Sequence, residues 1–399
     1  MPDWIWLNIV FDFSQMPVWS LAIIPVAIGF LWLLFRTTQK HKHQQSTLSS
    51  EYFKGLNYLL NDEQGKALDI FVKLVESNWD TVDTHFALGK IYRKNGEMDK
   101  AIKIHQGLIA RPSLPERYRS KILLELGYDY LGAGWFDRAE GLFKEVLIQD
   151  KKSKEARHNL ILIYQQEKDW FKAIDIAVDL FAENPAVIGP MIAQYYCELA
   201  ELAKSKGDIS QLVNDANKAL RYDSDCVRAS ILLADHEKTG GNYKKAIKIY
   251  ESIEKQDPVS MMLVIDSLLE CHANLSTQDK SYEYLLELQR RQENLFLQNV
   301  IAVELEKLQG KRVAIEYLSD KVRHQPSLSG LQKLLTYKEM EIDADKVFSD
   351  LLKAIAIMQN DSTDYRCNKC GFSTNTHYWL CPSCNNWATV KPGVIELEQ

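Results

Sequence analysis

The stretch Leu126-Gly-Tyr-Asp-Tyr-Leu-Gly-Ala-Gly-Trp-Phe-Asp-Arg-Ala139 decides the fold of most of this chain. The small residue Gly127 is followed three residues later by Tyr130, then by Ala139 and, four residues after that, by Phe143. Two further glycines lie between the two halves of the stretch and predict a turn there. The stretch therefore predicts two helices that pack against each other, with the small residue allowing a close approach.

The same pattern recurs along the middle of the chain at intervals of 34 to 38 residues. It starts at Gly55, at Gly89 and at Gly127, and a fourth copy carries Ile161 at the small position and Ala177 at the large one. A small residue, an aromatic residue, an alanine and a large apolar residue at these spacings are typical of the tetratricopeptide repeat, which is a helix pair.

The repeats predict an array of about nine helix pairs over residues 50–359, stacked into a superhelix whose concave groove binds protein segments. Later copies keep the period with poorer residues. In the seventh copy a strict count places Lys280 where the alanine belongs, so this pair is predicted to be degenerate.

Four cysteines near the C-terminus, Cys367, Cys370, Cys381 and Cys384, form two C-x-x-C pairs separated by ten residues. Each pair lets two thiolates from one tight turn reach the same ion, and two such turns complete a tetrahedral site. We predict one metal ion, iron or zinc, in a module over residues 365–393. Because so short a module cannot build a sufficient core alone, metal binding would supply its folding free energy.

The module is rich in aromatic residues, which would cover the metal site or dock the module onto a neighbour: Tyr365, Phe372, Tyr378, Trp379 and Trp387. Only residues 360–364 join it to the predicted array, and a linker this short keeps its ends close. The sequence therefore predicts that the module packs on the last repeats.

Residues 17–35 carry no charged side chain and are long enough to cross a bilayer as a helix. A basic juxtamembrane linker follows at 36–49, whereas residues 1–16 contain neither Lys nor Arg. The positive-inside rule then predicts a single-pass protein with the bulk of the chain in the cytoplasm. A cleaved signal peptide would need charges before the apolar run and small residues after it, and the sequence has neither. The status of the 1–16 extension stays open, because translation could start at Met16, and intact mass distinguishes the two starts.

Composition narrows the range of functions. Hydrophobic residues make up 46% of the chain and charged residues 26%, as in ordinary globular proteins. The formal net charge of −6 provides no basic field, so we predict no nucleic-acid partner. The sequence lacks the P-loop, dinucleotide-binding, nucleophile-elbow and zinc-protease motifs, and we predict that the protein is not an enzyme.

Three further cysteines, Cys197, Cys226 and Cys271, lie singly within helical patterns. Without regular spacing they predict reduced core thiols rather than a disulfide framework, and hence a reducing compartment. The histidines of the array have no ligand spacing to one another and are predicted to lie at the surface or half-buried.

The order of membrane span, tetratricopeptide array and terminal metal module resembles the lipopolysaccharide assembly protein B family of Gram-negative bacteria. The resemblance covers residues 16–399 and rests on these segments: Ile102-Lys-Ile-His-Gln106, Gly127-Tyr-Asp-Tyr-Leu-Gly-Ala-Gly134, Phe136-Asp-Arg-Ala-Glu140, Tyr365-Arg-Cys-Asn-Lys-Cys-Gly-Phe372, Tyr378-Trp-Leu-Cys-Pro-Ser-Cys384 and Lys391-Pro392. The fifteen residues ahead of Met16 depart from the family. The resemblance implies an all-α fold, a tetratricopeptide-repeat superhelix with an N-terminal transmembrane helix and a small C-terminal rubredoxin-like metal knuckle.

The resemblance also implies a function. Members of the family are adaptors at the bacterial inner membrane that promote turnover of the lipid A pathway deacetylase by the membrane AAA+ metalloprotease FtsH. They thereby regulate lipopolysaccharide biosynthesis, and lipopolysaccharide export proteins are further partners to test. The family's metal-binding positions match the four cysteines residue by residue. Which groove residues bind which partner, and whether the protein is a homo-oligomer, stay open.

A second interpretation is an iron-dependent redox sensor or electron-transfer protein on a repeat scaffold. A four-cysteine site that holds iron resembles rubredoxin and could pass an electron. Colour distinguishes the two metals, because an iron site is red and bleaches on reduction whereas zinc is colourless.

Overall fold

The computed structural model describes residues 50–339, apart from 59, 62, 78–81, 113, 293–294 and 326, and residues 364–392. The predicted extension 1–16, membrane helix 17–35 and basic linker 36–49 lie outside these residues, as does most of the predicted last helix pair. Among the helices that the structure describes, none is both long and apolar enough to span a bilayer.

The chain divides after Leu160 into two compact parts, an N-terminal and a C-terminal one. The N-terminal part is a succession of helices: a helical segment over residues 50–58, then α1 (Gln64–Ser77), α2 (Val82–Lys94), α3 (Met98–Ile109), α4 (Glu116–Gly132), α5 (Phe136–Gln149) and the start of α6 (Lys154–Glu167). Successive helices pair as the repeats predict, and we call the first helix of each pair the A helix and the second the B helix.

The C-terminal part continues the series from the end of α6. Its remaining helices are α7 (Trp170–Phe181), α8 (Pro185–Ser205), α9 (Ile209–Tyr222), α10 (Val227–Thr239), α11 (Tyr243–Gln256), a 3₁₀ helix (Pro258–Leu263), α12 (Ile265–Asn274), α13 (Gln278–Gln292), α14 (Leu295–Gln309), α15 (Lys311–His324) and α16 (Leu328–Glu339). In repeats 4, 5 and 6 the A helices are α6, α8 and α10.

Volume complementarity holds each pair together. A Cβ atom placed on Gly127 would lie 2.7 Å from the ring of Phe143, which is fully buried on the B helix of the same repeat. Gly55 faces the ring of Phe71 in the same way. The predicted alanine positions are also fully buried in the repeats that keep the pattern: Ala67, Ala101, Ala139, Ala173, Ala246 and Ala314.

Repeat 4 exchanges the two volumes instead of losing the contact. Ile161 on the A helix is 1% exposed and Ala177 on the B helix is 0% exposed. The large residue stands on the A helix in repeat 4 instead of on the B helix, and both positions remain buried. The burial of both residues suggests a volume exchange between the two helices of repeat 4, which the double variant described below tests.

Glycines at the predicted turns have the left-handed backbone conformation that allows a helix to stop and the chain to reverse. Gly96 and Gly134 have φ angles of 80° and 77°, and Gly207 and Gly241 each have 75°. The corresponding turn of repeat 4 places the non-glycine Lys168 in this region, with φ of 58°.

The prediction for repeat 7 is wrong in one respect. Lys280 is exposed, and Ser281, one residue later, is the buried residue at the alanine position, with 1% exposure. A strict 34-residue count from Ala246 misses this, because the chain holds one extra residue that the irregular Pro258–Leu263 segment accommodates.

The prediction of surface or half-buried histidines is also wrong for three of them, since His85, His105 and His272 are buried. His105 occupies the position that Phe71 and Phe143 fill in the neighbouring repeats, and a Cβ atom on Gly89 would lie 2.5 Å from its ring. Its Nδ1 atom lies 2.5 Å from Oδ2 of Asp129, so this ring nitrogen has a partner within the core.

The exchanged volumes of repeat 4 generate a prediction for repeat 3. We expect Gly127→Ile to destabilise the chain by about 1–3 kcal/mol, because the new side chain collides with Phe143. Phe143→Ala alone should cost about 3–5 kcal/mol through the cavity it leaves. The double variant, Gly127→Ile with Phe143→Ala, reproduces the Ile161–Ala177 arrangement of repeat 4. It should recover most of the free energy of unfolding that the single changes lose. Urea unfolding followed by helical circular dichroism gives the double-mutant cycle.

Gly141→Ala provides the matched control, because no atom lies within 4 Å of a Cβ atom at Gly141 in the same repeat. This variant should gain up to about 1 kcal/mol from helix propensity. Simple additivity of the two single changes in the cycle would contradict the proposed volume exchange.

Candidate metal centre

The C-terminal module is built on a three-stranded antiparallel sheet. Its strands are β1 (Tyr365–Cys367), β2 (Ser373–Thr374) and β3 (Val390–Pro392), in the order β2-β1-β3. β1 pairs Tyr365 with both Thr374 and Pro392, and Cys367 with Val390. The sheet thus fixes Cys367 at its centre strand and leaves the other three cysteines to the connecting loops.

The first loop is a tight turn closed by backbone hydrogen bonds. The N–H of Gly371 donates to the carbonyl of Cys367 at 2.9 Å, and the N–H of Cys367 donates to the carbonyl of Phe372 at 2.7 Å. Gly371 has a φ of 77°, which explains why a glycine follows the cysteine pair. This turn brings Cys370 to the same side of the sheet as Cys367.

The second loop repeats this geometry with an asparagine in place of the glycine. The N–H of Asn385 donates to the carbonyl of Cys381 at 2.9 Å, and the N–H of Cys381 donates to the carbonyl of Asn386 at 3.0 Å. Asn385 has a φ of 52°, in the left-handed region that asparagine tolerates better than most residues.

The two turns bring the four sulfur atoms together. The Sγ atoms of Cys367 and Cys384 are 3.8 Å apart, as are those of Cys370 and Cys381, and all four lie within 4.8 Å of one another. A tetrahedral site with metal–sulfur bonds of about 2.3 Å has sulfur–sulfur edges of about 3.8 Å. Within the residues that the structure describes, these cysteines are the one cluster of three or more His, Cys, Asp or Glu side chains close enough to hold a metal ion.

The chemistry of the donors fits a thiophilic cation. Burial opposes ionisation of Cys367, but its hydrogen bond with the Thr389 hydroxyl and those from the backbone N–H groups of Cys370 and Lys369 lower its pKa to about 6. Burial raises the pKa of Cys381 to about 11, and the neighbouring cysteines add to this shift. Four thiolates at this spacing repel one another, so their joint ionisation requires a cation among them. Zinc and iron both prefer such a sulfur set.

A small apolar cluster covers one side of the sulfur atoms. Cys367, Cys381 and Val390 are buried, with Tyr365 and Phe372 packed against them. Cys384 is partly exposed and also packs against this cluster, whereas Cys370 is exposed. These two aromatic residues of the module therefore serve its own core.

Trp387 docks the module onto the C-terminal part of the array. Its indole N–H donates to Oε1 of Gln165 at 3.2 Å. Its ring lies edge-on to Tyr195 and to Trp170, with centroid distances of 6.0 and 6.1 Å. Tyr195 also donates to Oε1 of Gln165, at 3.0 Å, so a single amide oxygen joins the module to two repeats.

Arg228 on α10 lies beneath both tryptophans of the second loop. Its guanidinium carbon lies 5.8 Å from the ring centroid of Trp379 and 5.9 Å from that of Trp387, within the range of cation–π attraction. Arg228 is 3% exposed, and Glu198 and Glu201 lie 2.8 and 2.9 Å from its Nη2 atom. Burial opposes its charge, but these carboxylates hold its pKa above the usual range.

A third contact fixes the end of the sheet. Lys391 Nζ lies 2.6 Å from Oδ2 of Asp257, at the junction between α11 and the 3₁₀ helix. Ser260 donates to the same carboxylate oxygen. Burial opposes ionisation of Asp257, but Lys391 and Ser260 hold its pKa below the usual value.

The prediction that the module packs on the last repeats is wrong. Gln165, Tyr195 and Arg228 lie on the A helices of repeats 4, 5 and 6, so the docking face is in the middle of the array. The chain position of the module limits how far it can reach but does not select the surface, which depends on where the two tryptophans find a partner. In the sequence, Arg228 stands among the mostly apolar residues that begin α10, and a charged residue at such a position could have indicated this docking face.

Three family profiles match the chain. A profile described as rubredoxin metal binding domain matches residues 365–392, and two described as tetratricopeptide repeat match residues 84–116 and 197–260. The first spans all four cysteines, and the other two fall within the paired helices.

Relatives align over nearly the whole length. Lipopolysaccharide assembly protein B of Haemophilus influenzae is 27% identical over 383 residues, which cover 93% of this chain and 96% of the relative. A solved tetratricopeptide repeat protein from Parabacteroides merdae aligns with 69% of this chain and 98% of its own, at 16% identity and a TM-score of 0.32, too low a likeness to support an argument. Lipopolysaccharide assembly protein B of Escherichia coli strain K12 is 30% identical over 375 residues, covering 93% of this chain and 96% of the relative. The chain, with its paired helices and its four-cysteine module, belongs to the lipopolysaccharide assembly protein B family.

Proposed function

We propose that Cys367, Cys370, Cys381 and Cys384 bind one metal ion, iron or zinc. The metal would supply the charge that lets the four thiols ionise together and would tie the two turns to each other. The residues of the chain do the rest: Tyr365 and Phe372 cover the site, and the second loop docks it onto the array. The ion is structural in this proposal, and it holds Trp379 and Trp387 at their docking positions.

We further propose that residues 17–35 cross the inner membrane once and that the basic linker 36–49 keeps the remaining chain in the cytoplasm. The array over 50–359 and the module over 365–393 would then face the cytoplasm together. The support is the charge distribution around the apolar run.

The protein is proposed to be an inner-membrane-anchored adaptor that regulates lipopolysaccharide biosynthesis. It would promote proteolysis of the lipid A pathway deacetylase through the protease FtsH and act as a scaffold for lipopolysaccharide assembly. The near full-length similarity to lipopolysaccharide assembly protein B carries this proposal. An array of stacked helix pairs supports it as well, because such arrays present extended surfaces to protein partners.

Crosslinking and affinity purification of the native membrane form test the adaptor role. We expect FtsH and the deacetylase to co-purify with the full chain. A chain of residues 1–49 alone, purified in parallel, controls for capture through the membrane segment. Recovery of neither protein with the full chain, or equal recovery of both with the control, would contradict the proposal.

An iron-dependent redox protein is the second candidate function. The exposure of Cys370 favours it, because an electron can pass more easily through a ligand that reaches the surface. A red protein that bleaches reversibly on reduction, and whose partner binding changes with it, would support this candidate over a structural metal. A colourless zinc protein would exclude it.

The ligand assignment makes a prediction. Cys367→Ser combined with Cys370→Ser should remove the metal and unfold the module, because one of the two turns loses both sulfur ligands. Elemental analysis should show the loss of one ion per chain, and tryptophan fluorescence should shift as Trp387 leaves its site. Far-ultraviolet circular dichroism should keep the helical signal of the array.

Cys271→Ala serves as the control, because Cys271 is buried in the array and lies outside the cluster. It should retain the full metal content. An unchanged metal content in the double serine variant would refute the assignment of these ligands.

The membrane anchor makes a second prediction. A chain lacking residues 1–36 should be soluble and bind the deacetylase but regulate its level poorly, because it is no longer held at the membrane beside FtsH. Immunoblots of the deacetylase in cells that express either form measure this. Full regulation by the truncated chain would show that the anchor is dispensable.

A further inference from the structure

Cys197 and Cys226 form a buried pair of thiols in the C-terminal part. Their Sγ atoms are 3.7 Å apart, and the two residues are 0% and 2% exposed. Cys197 lies within α8 and Cys226 is the residue immediately before α10, so the pair bridges the A helices of repeats 5 and 6. The sequence suggested isolated core thiols, and the structure instead brings these two into contact.

The surroundings favour the thiolate of Cys226. Cys226 is the N-cap residue of α10 and lies two residues before Arg228, and a helix N-terminus and a nearby cation both favour the thiolate form. A hydrogen bond from Cys197 lowers the pKa of Cys226 most, and the Ala229 N–H and Arg228 act in the same direction, against burial and the negative charge of Asp223. The side-chain amide of Gln194 also donates toward its sulfur, at 3.7 Å. For Cys197, by contrast, burial raises the pKa.

We propose that Cys197 and Cys226 are a redox-active dithiol that closes to a disulfide when a hydroperoxide oxidises it. The thiolate sulfur of Cys226 attacks one peroxide oxygen, the O–O bond breaks, and the leaving oxygen takes up a proton to become water or an alcohol. The product is the sulfenic acid of Cys226. The sulfur of Cys197 then attacks this sulfur, forms the S–S bond and releases a second water, which carries the remaining thiol proton. The two sulfurs lose two electrons in total and the peroxide gains them.

The two sulfur atoms have only a short distance to close. A disulfide bond is about 2.05 Å long, so the two sulfur atoms must approach each other by less than about 2 Å. The remaining cysteine of the array, Cys271, has no such neighbour among the described residues, and it contributes to a different core cluster. In a reducing compartment the pair would be a thiol pair at rest and a disulfide only under oxidant.

The dithiol and the docked module both lie close to the guanidinium group of Arg228. Gln194 lies 3.5 Å from Nη1 of Arg228, and the guanidinium of Arg228 contacts both docking tryptophans. Closing the disulfide would tie α8 to the start of α10 beside Gln194 and Arg228. The oxidation state of the pair is thereby linked to the surface beneath Trp379 and Trp387.

The test uses the full chain, reduced and then treated with hydrogen peroxide in detergent. After an acid quench, denaturation and alkylation of free thiols, mass spectrometry of the unreduced digest maps every cysteine. We expect a peptide pair that links Cys197 to Cys226, reversed by dithiothreitol, to form at least tenfold faster than any oxidation of Cys271. Free alkylated thiols at both positions while the four module cysteines oxidise would overturn the proposal.

Two variants assign the roles. In Cys197→Ser the reaction should stop at the sulfenic acid, and dimedone should label Cys226. In Cys226→Ser no linked peptide should form, and Cys197 should remain unlabelled. Dimedone labelling of Cys197 instead of Cys226 would reverse the proposed order of attack and refute this mechanism. The time course on the unmodified chain decides the proposal even if a variant folds poorly.

Discussion

Arg228 is the point on which the arrangement of the module and the array depends. A guanidinium that is 3% exposed is costly unless its charge is partnered, and Glu198 and Glu201 supply the partners from the neighbouring A helix. These carboxylates satisfy the edge of the group, whereas the two tryptophans of the module cover its face. The array therefore neutralises the charge of Arg228, and the module shields it from water. Arg228 thus contacts both the array and the module.

The second loop of the module has two tasks that a single backbone must satisfy together. It holds the sulfur atoms of Cys381 and Cys384 on one side, and it presents Trp379 and Trp387 to the array. The carbonyl of Trp379 accepts a hydrogen bond from the N–H of Ala388 at 2.6 Å, which closes the loop between the two tryptophans. Because the same turn sets both positions, a metal ion bound by these cysteines would also favour docking, and a module of this size needs stabilisation beyond its own core.

Local pattern allowed the repeats to be predicted, since each helix pair is specified by residues close in sequence. The alanine positions and the glycine turns follow directly from the repeat pattern. The two turns that bring the cysteines together follow from the spacing of the two C-x-x-C pairs. The errors arise where the decisive contact is distant or the period slips. One extra residue moved the buried position from Lys280 to Ser281, and the docking face could not be inferred because Gln165 and Trp387 lie far apart in the chain. The contact between Cys197 and Cys226 was not predicted for the same reason, because the two residues lie on different helix pairs.

These distant contacts also connect the two groups of sulfur atoms. On one side of Arg228 lie the tryptophans whose positions the four-cysteine turns determine. On the other lies Gln194, which reaches both the guanidinium and the sulfur of Cys226. Each sulfur group thus contacts, or fixes through its loop, a side chain next to the same buried cation, and a buried cation tolerates little loss of its partners. The Cys197–Cys226 pair and the module cysteines therefore lie around one shared contact, although Cys367 stands 141 positions after Cys226 in the chain.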